Sequence, residues 1–279
     1  MNPRLIPGQG VELAPGIRRV LAPNPGMMTG PGTNTYLLGE REVAVIDPGP
    51  ANDTHVAAIA DNSPGDIRWI LVTHTHLDHS PAARALARFT GATLLGRKAP
   101  PGTSQERGFV PDRALENGES LVTDEFSLQA VHTPGHASNH LCYLLDERDW
   151  LFTGDHIMNG STVVINPPDG NMQHYLDSLR RLQALRLSIL APGHGELIDA
   201  PQAAVAWIID HRLQREAEVI AALRKNPHSV VPDLVPLVYR DLGEHLHKVA
   251  ARSLLAHLFK LQDDGRALCR ADRWRLIEG

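Results

Sequence analysis

The sequence predicts an α/β fold followed by a helical annex, and three observations carry that expectation. Short apolar runs closed by Gly or Pro, such as TNTYLLG and VAVIDPG, recur from Thr33 to His194. Segments of helical spacing are interleaved with them, which separates the chain from a pure sandwich of strands. From about Pro201 the strand signals give way to patterns in which Ala, Ile, Val and Leu recur three and four apart. The expected division is one domain over residues 1–205 and an annex over residues 206–279.

Along the chain, TNTYLLG and VAVIDPG read as an early strand pair and WILVTH as a further strand. In SPAARALARFTG, Ser80 is placed to cap a helix, Pro81 suits its first position and Gly91 its stop. A strand at ATLLG and a Pro/Gly-rich loop from Pro100 to Gly108 follow, then the apolar stretches FSLQAVHTPGH, HLCYLL and WLFTGD. MQHYLDSLRRLQAL predicts a helix from about Met172 to Leu185, and LSILAPGH a last strand. In the annex, AAVAWIIDHRLQREAEVIAALRK, VPDLVPLVYRDL and HKVAARSLLAHLFKLQDDG read as helices, and ALCR with WRLIE as a hairpin. Together they form a winged-helix-like set.

Composition narrows the function classes. The 279 residues carry a formal net charge of −5, which does not favour a strongly basic nucleic-acid binder. The two cysteines, Cys142 and Cys269, are far apart and give neither a CxxC pair nor a disulfide framework, so a reducing compartment is expected. The first residues lack an apolar signal region, and no run approaches the ~20 apolar residues of a membrane span. The expectation is a cytoplasmic protein with no membrane partner. Histidine stands out, with 15 copies.

Four segments, three of them bearing histidine, carry the chemistry. VTHTHLDHSP, residues 72–81, follows an apolar strand. In extended chain, His74 and His76 face one side, while Asp78 and His79 arrive as the chain turns and can face a neighbouring centre. Three more apolar runs end in ligand-type residues beside a glycine: His136 in HTPGH, Asp155 in FTGD and His194 in APGHG. His74, His76 and His136 can hold one ion, and Asp78, His79 and His194 a second, with Asp155 shared. Nitrogen and oxygen donors without thiolate suit zinc, with manganese or iron(II) as alternatives. Two ions ~3.5–4 Å apart can share a water and bring its pKa near neutrality, yielding a metal-bridging hydroxide.

The motifs THTHLDH, HTPGH, FTGD and APGHG resemble those of the metallo-β-lactamase superfamily over residues ~16–200. The resemblance implies an αββα sandwich with a dinuclear site at one edge of two facing sheets. It also implies that Asp47, in VIDPG, supports the metal loop by hydrogen bonds without binding metal. The lactamases proper carry Cys or Ser where this chain has Asp155, whereas the glyoxalase II-like and RNA-processing branches carry a bridging Asp, so the resemblance points to those branches and away from true β-lactamase activity. NPGMMTGPGTNTYLLG, HRLQREAEVI and ARSLLAHLFKLQDDGRA further resemble the beta-lactamase-like protein two family. That family's animal members cut single-stranded RNA, and its fungal relatives are thioesterases acting on carrier-bound polyketides.

The functional expectation is a metal-dependent hydrolase acting on a thioester or ester, with a small-molecule or carrier-bound acyl partner. Asp78 or Asp155 orients the hydroxide. The alternative is an RNA endonuclease in which Arg252, Lys260, Arg270 and Arg273 contribute positive charge, although Asp263, Asp264 and Asp272 are interspersed among them. A third reading has the annex binding DNA beside an idle metal fold. Asn34, Thr35 and Ser138 are candidates to line the mouth of the site, and family analogy adds a homodimer.

Overall fold

A computed structural model describes residues 5–277. Strands β1 (Gly10–Ala14), β2 (Ile17–Leu21), β3 (Asn34–Leu38) and β4 (Glu42–Ile46) pair antiparallel in chain order. Strands β5 (Asp66–Leu71), β6 (Thr93–Gly96) and β7 (Arg113–Ala114) then add in parallel to complete a seven-stranded sheet. Parallel neighbours require crossovers, and α1 (Asp53–Asp61) and α2 (Ala83–Thr90) supply those between β4 and β5 and between β5 and β6. A second, five-stranded sheet contains β8 (Ser120–Val122), β9 (Ser127–His132), β10 (Leu141–Leu145), β11 (Trp150–Gly154) and β12 (Ile189–Pro192). It is antiparallel except for the β11–β12 pair.

The two-residue period of the strands determines the layers. Tyr36, Leu38, Ala44 and Ile46 point to one face and pack with Leu128, Leu141, Tyr143 and Phe152 of the second sheet. The intervening Leu37, Val43 and Val45 point to the other face and pack with Ile59 of α1 and Ala83 and Leu86 of α2. Burying each Val, Leu, Ile or Phe side chain contributes roughly 1.5–3 kcal/mol, so a one-residue slip of β3 or β4 would misplace both layers at once.

The chain forms two compact units, the first of residues 1–133, 139–161 and 186–201. The second contains residues 134–138, 162–185 and 202–279. It takes in α3 (Met172–Gln183), capped by Asn171 accepting from His174 N at 2.9 Å. Its other elements are α4 (Pro201–Lys225), α5 (Val231–Val238), α6 (His247–Asp263) and the hairpin of β13 (Ala267–Arg270) and β14 (Arg273–Leu276). Val219, Leu223, Leu234, Leu254, Leu258 and Trp274 form its core. Among the described residues no helix is long and apolar enough to cross a membrane.

One local expectation is corrected. Helix α2 begins at Ala83, and Ser80 does not cap it: Ser80 Oγ donates to Glu106 Oε2 at 3.0 Å. Residues 76–80 are consumed by a turn in which His79 N and Ser80 N both donate to His76 O, at 3.0 and 3.3 Å. That turn returns His79 to the interior and delays the helix. Gly91 does stop it, at φ 75°.

His257 on α6 is fully buried, and burial pushes its pKa down to about 4. Glu216, 4.0 Å away, cannot reverse this, being held by Lys260 at 3.1 Å and Arg266 at 3.3 Å. The unfolded chain, with His257 near its ordinary value of about 6.5, binds the proton that the folded unit refuses, so stability falls as pH falls from 6.5 toward 4. Between pH 7.5 and pH 5 we expect His257 to cost about 2 kcal/mol. Amide exchange in α6 at both pH values should show this loss, with a smaller loss in His257→Phe. Equal losses in the two proteins would refute it.

Candidate metal centre

The site is built on strand ends of the first unit. Asp47 follows β4, Thr73 and His74 lie beyond β5, Asp155 follows β11 and His194 lies beyond β12. Asp47 turns at φ 51°, a left-handed conformation that Asp tolerates better than most residues. The turn aims its buried carboxylate inward. Oδ1 accepts from Thr73 N at 2.7 Å, and Oδ2 accepts from Thr73 Oγ1 at 2.7 Å and from His79 Nδ1 at 2.8 Å.

That last bond fixes His79 with its proton on Nδ1 and directs Nε2 at the carboxylates. His79 Nε2 lies 3.3 Å from Asp155 Oδ1 and 3.6 Å from Asp78 Oδ2. His194 repeats the device: Nδ1 donates to Gly32 O at 3.1 Å, leaving Nε2 3.2 Å from Asp78 Oδ2 and 3.3 Å from Asp155 Oδ1. One ligand atom from each of Asp78, His79, Asp155 and His194 thus falls within 4.8 Å of all the others. Burial opposes charging of both imidazoles, but Asp78, Asp155 and Asp47 outweigh it at His79 and raise its pKa well above normal. Asp155 and Asp78 likewise lift His194 to about 9. Burial would raise the two carboxylates, yet the histidines beside them hold both below the usual range.

These shifts describe a pocket of converging acceptors that demands positive charge. Either protons on the imidazoles or a bound cation can supply it, and the two-nitrogen, two-carboxylate donor set fits a zinc-type dication. His79 Nε2 and His194 Nε2 are buried without a hydrogen bond, as ligand atoms would be.

A second set of nitrogens lies beside this one. Burial, reinforced by His79, drives the His74 pKa well below normal and keeps the ring neutral, as a ligand must be. His74 Nδ1 donates to Thr73 Oγ1 at 3.0 Å, whose own proton goes to Asp47, and its Nε2 is 2.8 Å from His76 Nδ1. His136 belongs to the second unit, where its Nδ1 donates to Val164 O at 2.8 Å.

Of the three residues expected at the mouth, Asn34 and Thr35 are buried. Asn34 is fully buried and donates through Nδ2 to Pro192 O at 3.0 Å and Gly195 O at 2.9 Å, tying down the loop that carries His194. Thr35 is fully buried as well, and its Oγ1 donates to Asp47 O at 2.7 Å. Both therefore support the site from behind and do not line its mouth. Ser138 is exposed in the second unit, with Oγ 2.6 Å from Asp169 Oδ1.

Other contributors carried weaker signals. Thr73 looks like an ordinary strand residue until its link to Asp47 and His74 is seen. His140 is buried, lies 2.9 Å from Thr133 Oγ1 through Nδ1 and stacks on His74 with ring centroids 5.0 Å apart. Gly193 permits a close approach: a Cβ there would lie 2.7 Å from His79 Cε1 and 2.9 Å from Asp155 Oδ1. The glycines of FTGD and APGHG were the available signal.

A two-sheet α/β frame with histidines and carboxylates gathered at its strand ends defines the class of metal-dependent hydrolases. The chain belongs to the metallo-beta-lactamase superfamily, whose family profile matches residues 28–194, and the beta-lactamase associated winged helix domain matches residues 231–274. It is 30% identical over 269 residues to the beta-lactamase-like protein 2 homolog of Drosophila melanogaster, covering 91% of this chain and 90% of the relative. It is 34% identical over 220 residues to an atrochrysone carboxyl ACP thioesterase of Aspergillus fumigatus, covering 76% of this chain and 66% of the relative. A beta-lactamase domain protein from Burkholderia ambifaria shares the fold with a TM-score of 0.84 at 22% identity, over 99% of this chain and 96% of that one.

The Asp47 geometry makes a specific demand on metal binding. Asp47→Asn keeps a residue that tolerates the left-handed turn but sets an amide against three donors, so we expect a 10- to 100-fold loss of metal affinity in chelator competition. Gly193→Ala should lower metal content after reconstitution, since the new methyl displaces His79 or Asp155. Native metal content in either variant would count against this role for that residue.

Proposed function

We propose that the protein is a dinuclear metal-dependent acyl hydrolase that cleaves thioesters or esters of small or carrier-bound acyl groups. His74, His76 and His136 would hold one ion, Asp78, His79 and His194 the other, and Asp155 would be shared. Zinc is the first choice and manganese or iron(II) the alternatives, because the donors are nitrogen and oxygen only. The observation that carries the reading is Asp155 Oδ1, placed 3.3 Å from both His79 Nε2 and His194 Nε2, where a carboxylate and not a thiolate meets the two imidazoles. A carboxylate at the shared position argues against β-lactamase activity.

Two bound ions would supply Lewis acidity, lowering the pKa of a water and polarising the substrate carbonyl. The chain's own residues do the rest. Asp47 and Gly32 hold His79 and His194 in their ligating tautomers through Nδ1. Asp78, its side chain 25% exposed, is the carboxylate of the set able to orient an incoming water and pass its proton outward. Buried Asp155 stays ionised.

The leaving group separates thioesters from oxygen esters and phosphodiesters. A thiolate, with a parent pKa of about 8.5, departs without a protonating acid, whereas an alkoxide needs one. The likeness to the fungal thioesterase supports a carrier-bound acyl substrate. The formal charge of −5 supports it over RNA. Two free cysteines, one of them buried, support a cytoplasmic location, and we add a homodimer by analogy with the family.

A substrate panel tests the reading. Metal-loaded protein should hydrolyse acyl-CoA or acyl-glutathione thioesters, lose that activity on chelation and regain it with zinc. Asp78→Ala should lower turnover at least 100-fold, and elemental analysis should find two ions per chain. Chelator-sensitive cutting of unstructured RNA with no thioester turnover would overturn the assignment in favour of an endonuclease.

A further inference from the structure

The second unit holds a cavity of about 190 Å³ lined by Arg212, Arg215 and Tyr239 and by the apolar residues Val163, Val249 and Ala250. Arg212 is 2% exposed, so its charge has left water. One of its Nη groups donates to Val163 O, and its guanidinium lies 5.4 Å from the Tyr175 ring centroid. Among the described residues no carboxylate pairs with it. Arg215 differs: Asp241 accepts from it at 3.0 and 3.1 Å and Glu218 at 2.9 Å. The cavity therefore has one compensated cation and one uncompensated cation.

Arg212 Nε and Tyr239 Oη are both buried without a hydrogen-bond partner. Burial raises the Tyr239 pKa, which keeps its hydroxyl a proton donor. Burial, with Arg212 and Arg215 beside it, lowers the His211 pKa, so this neighbour on the cavity wall is neutral at pH 7. A water could accept one of the two hydrogen bonds but would leave the buried charge unmatched.

We propose that this cavity binds the carboxylate of a small organic acid. Its oxygens would accept from Arg212 Nε–H and Tyr239 O–H, and its short apolar body would lie against Val163, Val249 and Ala250. The charge requirement is one, which suits a carboxylate; a phosphate dianion would need the Arg215 charge as well, and that is already matched by Asp241 and Glu218. The volume equals about six waters of ~30 Å³, enough for an acid with a few carbons. Val164, on the same wall, carries the carbonyl that orients His136, so an occupant would adjoin the segment holding that histidine. The inference does not depend on the hydrolase reading, since it is tested by binding alone.

Butyrate is the probe, titrated into the full-length metal-loaded protein and again after chelation, with binding read by calorimetry and ligand-observed NMR. Carboxylates also bind metals, so the cavity accounts for the component that survives chelation. One butyrate per chain should bind in that state. Tyr239→Phe, which removes a single hydroxyl, should weaken it about tenfold, Arg212→Met should abolish it, and inorganic phosphate should not compete. If Arg212→Met fails to fold, Tyr239→Phe decides alone. No binding after chelation, unchanged affinity in Tyr239→Phe, or displacement by equimolar phosphate would each overturn the proposal.

Discussion

The site is governed by a crowding of like groups. Two carboxylates and two imidazole nitrogens face one another at 3.2–3.6 Å, in a setting where both histidines and Asp155 are buried. In that environment four acceptors repel unless positive charge sits among them. The raised pKa values of His79 and His194 and the lowered ones of Asp78 and Asp155 are two sides of this constraint. A fold that holds such a set together in the interior must spend stability elsewhere on it, and the two-sheet core supplies that stability.

The means of holding is indirect. Neither Asp47 nor Gly193 belongs to the ligand group, yet each sets the position of one that does. Asp47 joins the end of β4 to the backbone of Thr73 and to His79, so a single carboxylate couples two strand ends. Asn34 and Tyr36 do the same for the end of β12, both donating to Pro192 O, at 3.0 and 2.7 Å. The loops that carry His79 and His194 are thus tied to the sheet by hydrogen bonds from its strand residues and strand ends.

How much of this was legible in the sequence follows from where each signal resides. Ligand-type residues at strand ends are a sequence pattern, so the two groups of residues that could hold a metal ion are visible in THTHLDH, HTPGH, FTGD and APGHG. The apolar alternation of β3 and β4 and the long helical periods of α4 and α6 were legible for the same reason. Elements with weak periodicity were not: α1, in DTHVAAIAD, is nine residues long, and the edge strands β1, β7 and β8 bury few side chains. Ser80 misled because capping propensity is local, whereas the turn that returns His79 to the core is a tertiary demand. Asn34 and Thr35 misled because polarity near a site suggests exposure, and both spend their hydrogen bonds on buried carbonyls.

The second unit obeys the same electrostatic logic by a different route. Arg215 answers burial with Asp241 and Glu218, and Glu216 answers it with Lys260 and Arg266. His257 answers it by staying neutral. Arg212, among the described residues, has neither a carboxylate partner nor that neutral route. A guanidinium cannot take the neutral route, because its pKa lies too high for burial to discharge it. It keeps its charge, and among the described residues its partners are the Val163 carbonyl and the Tyr175 ring rather than a carboxylate.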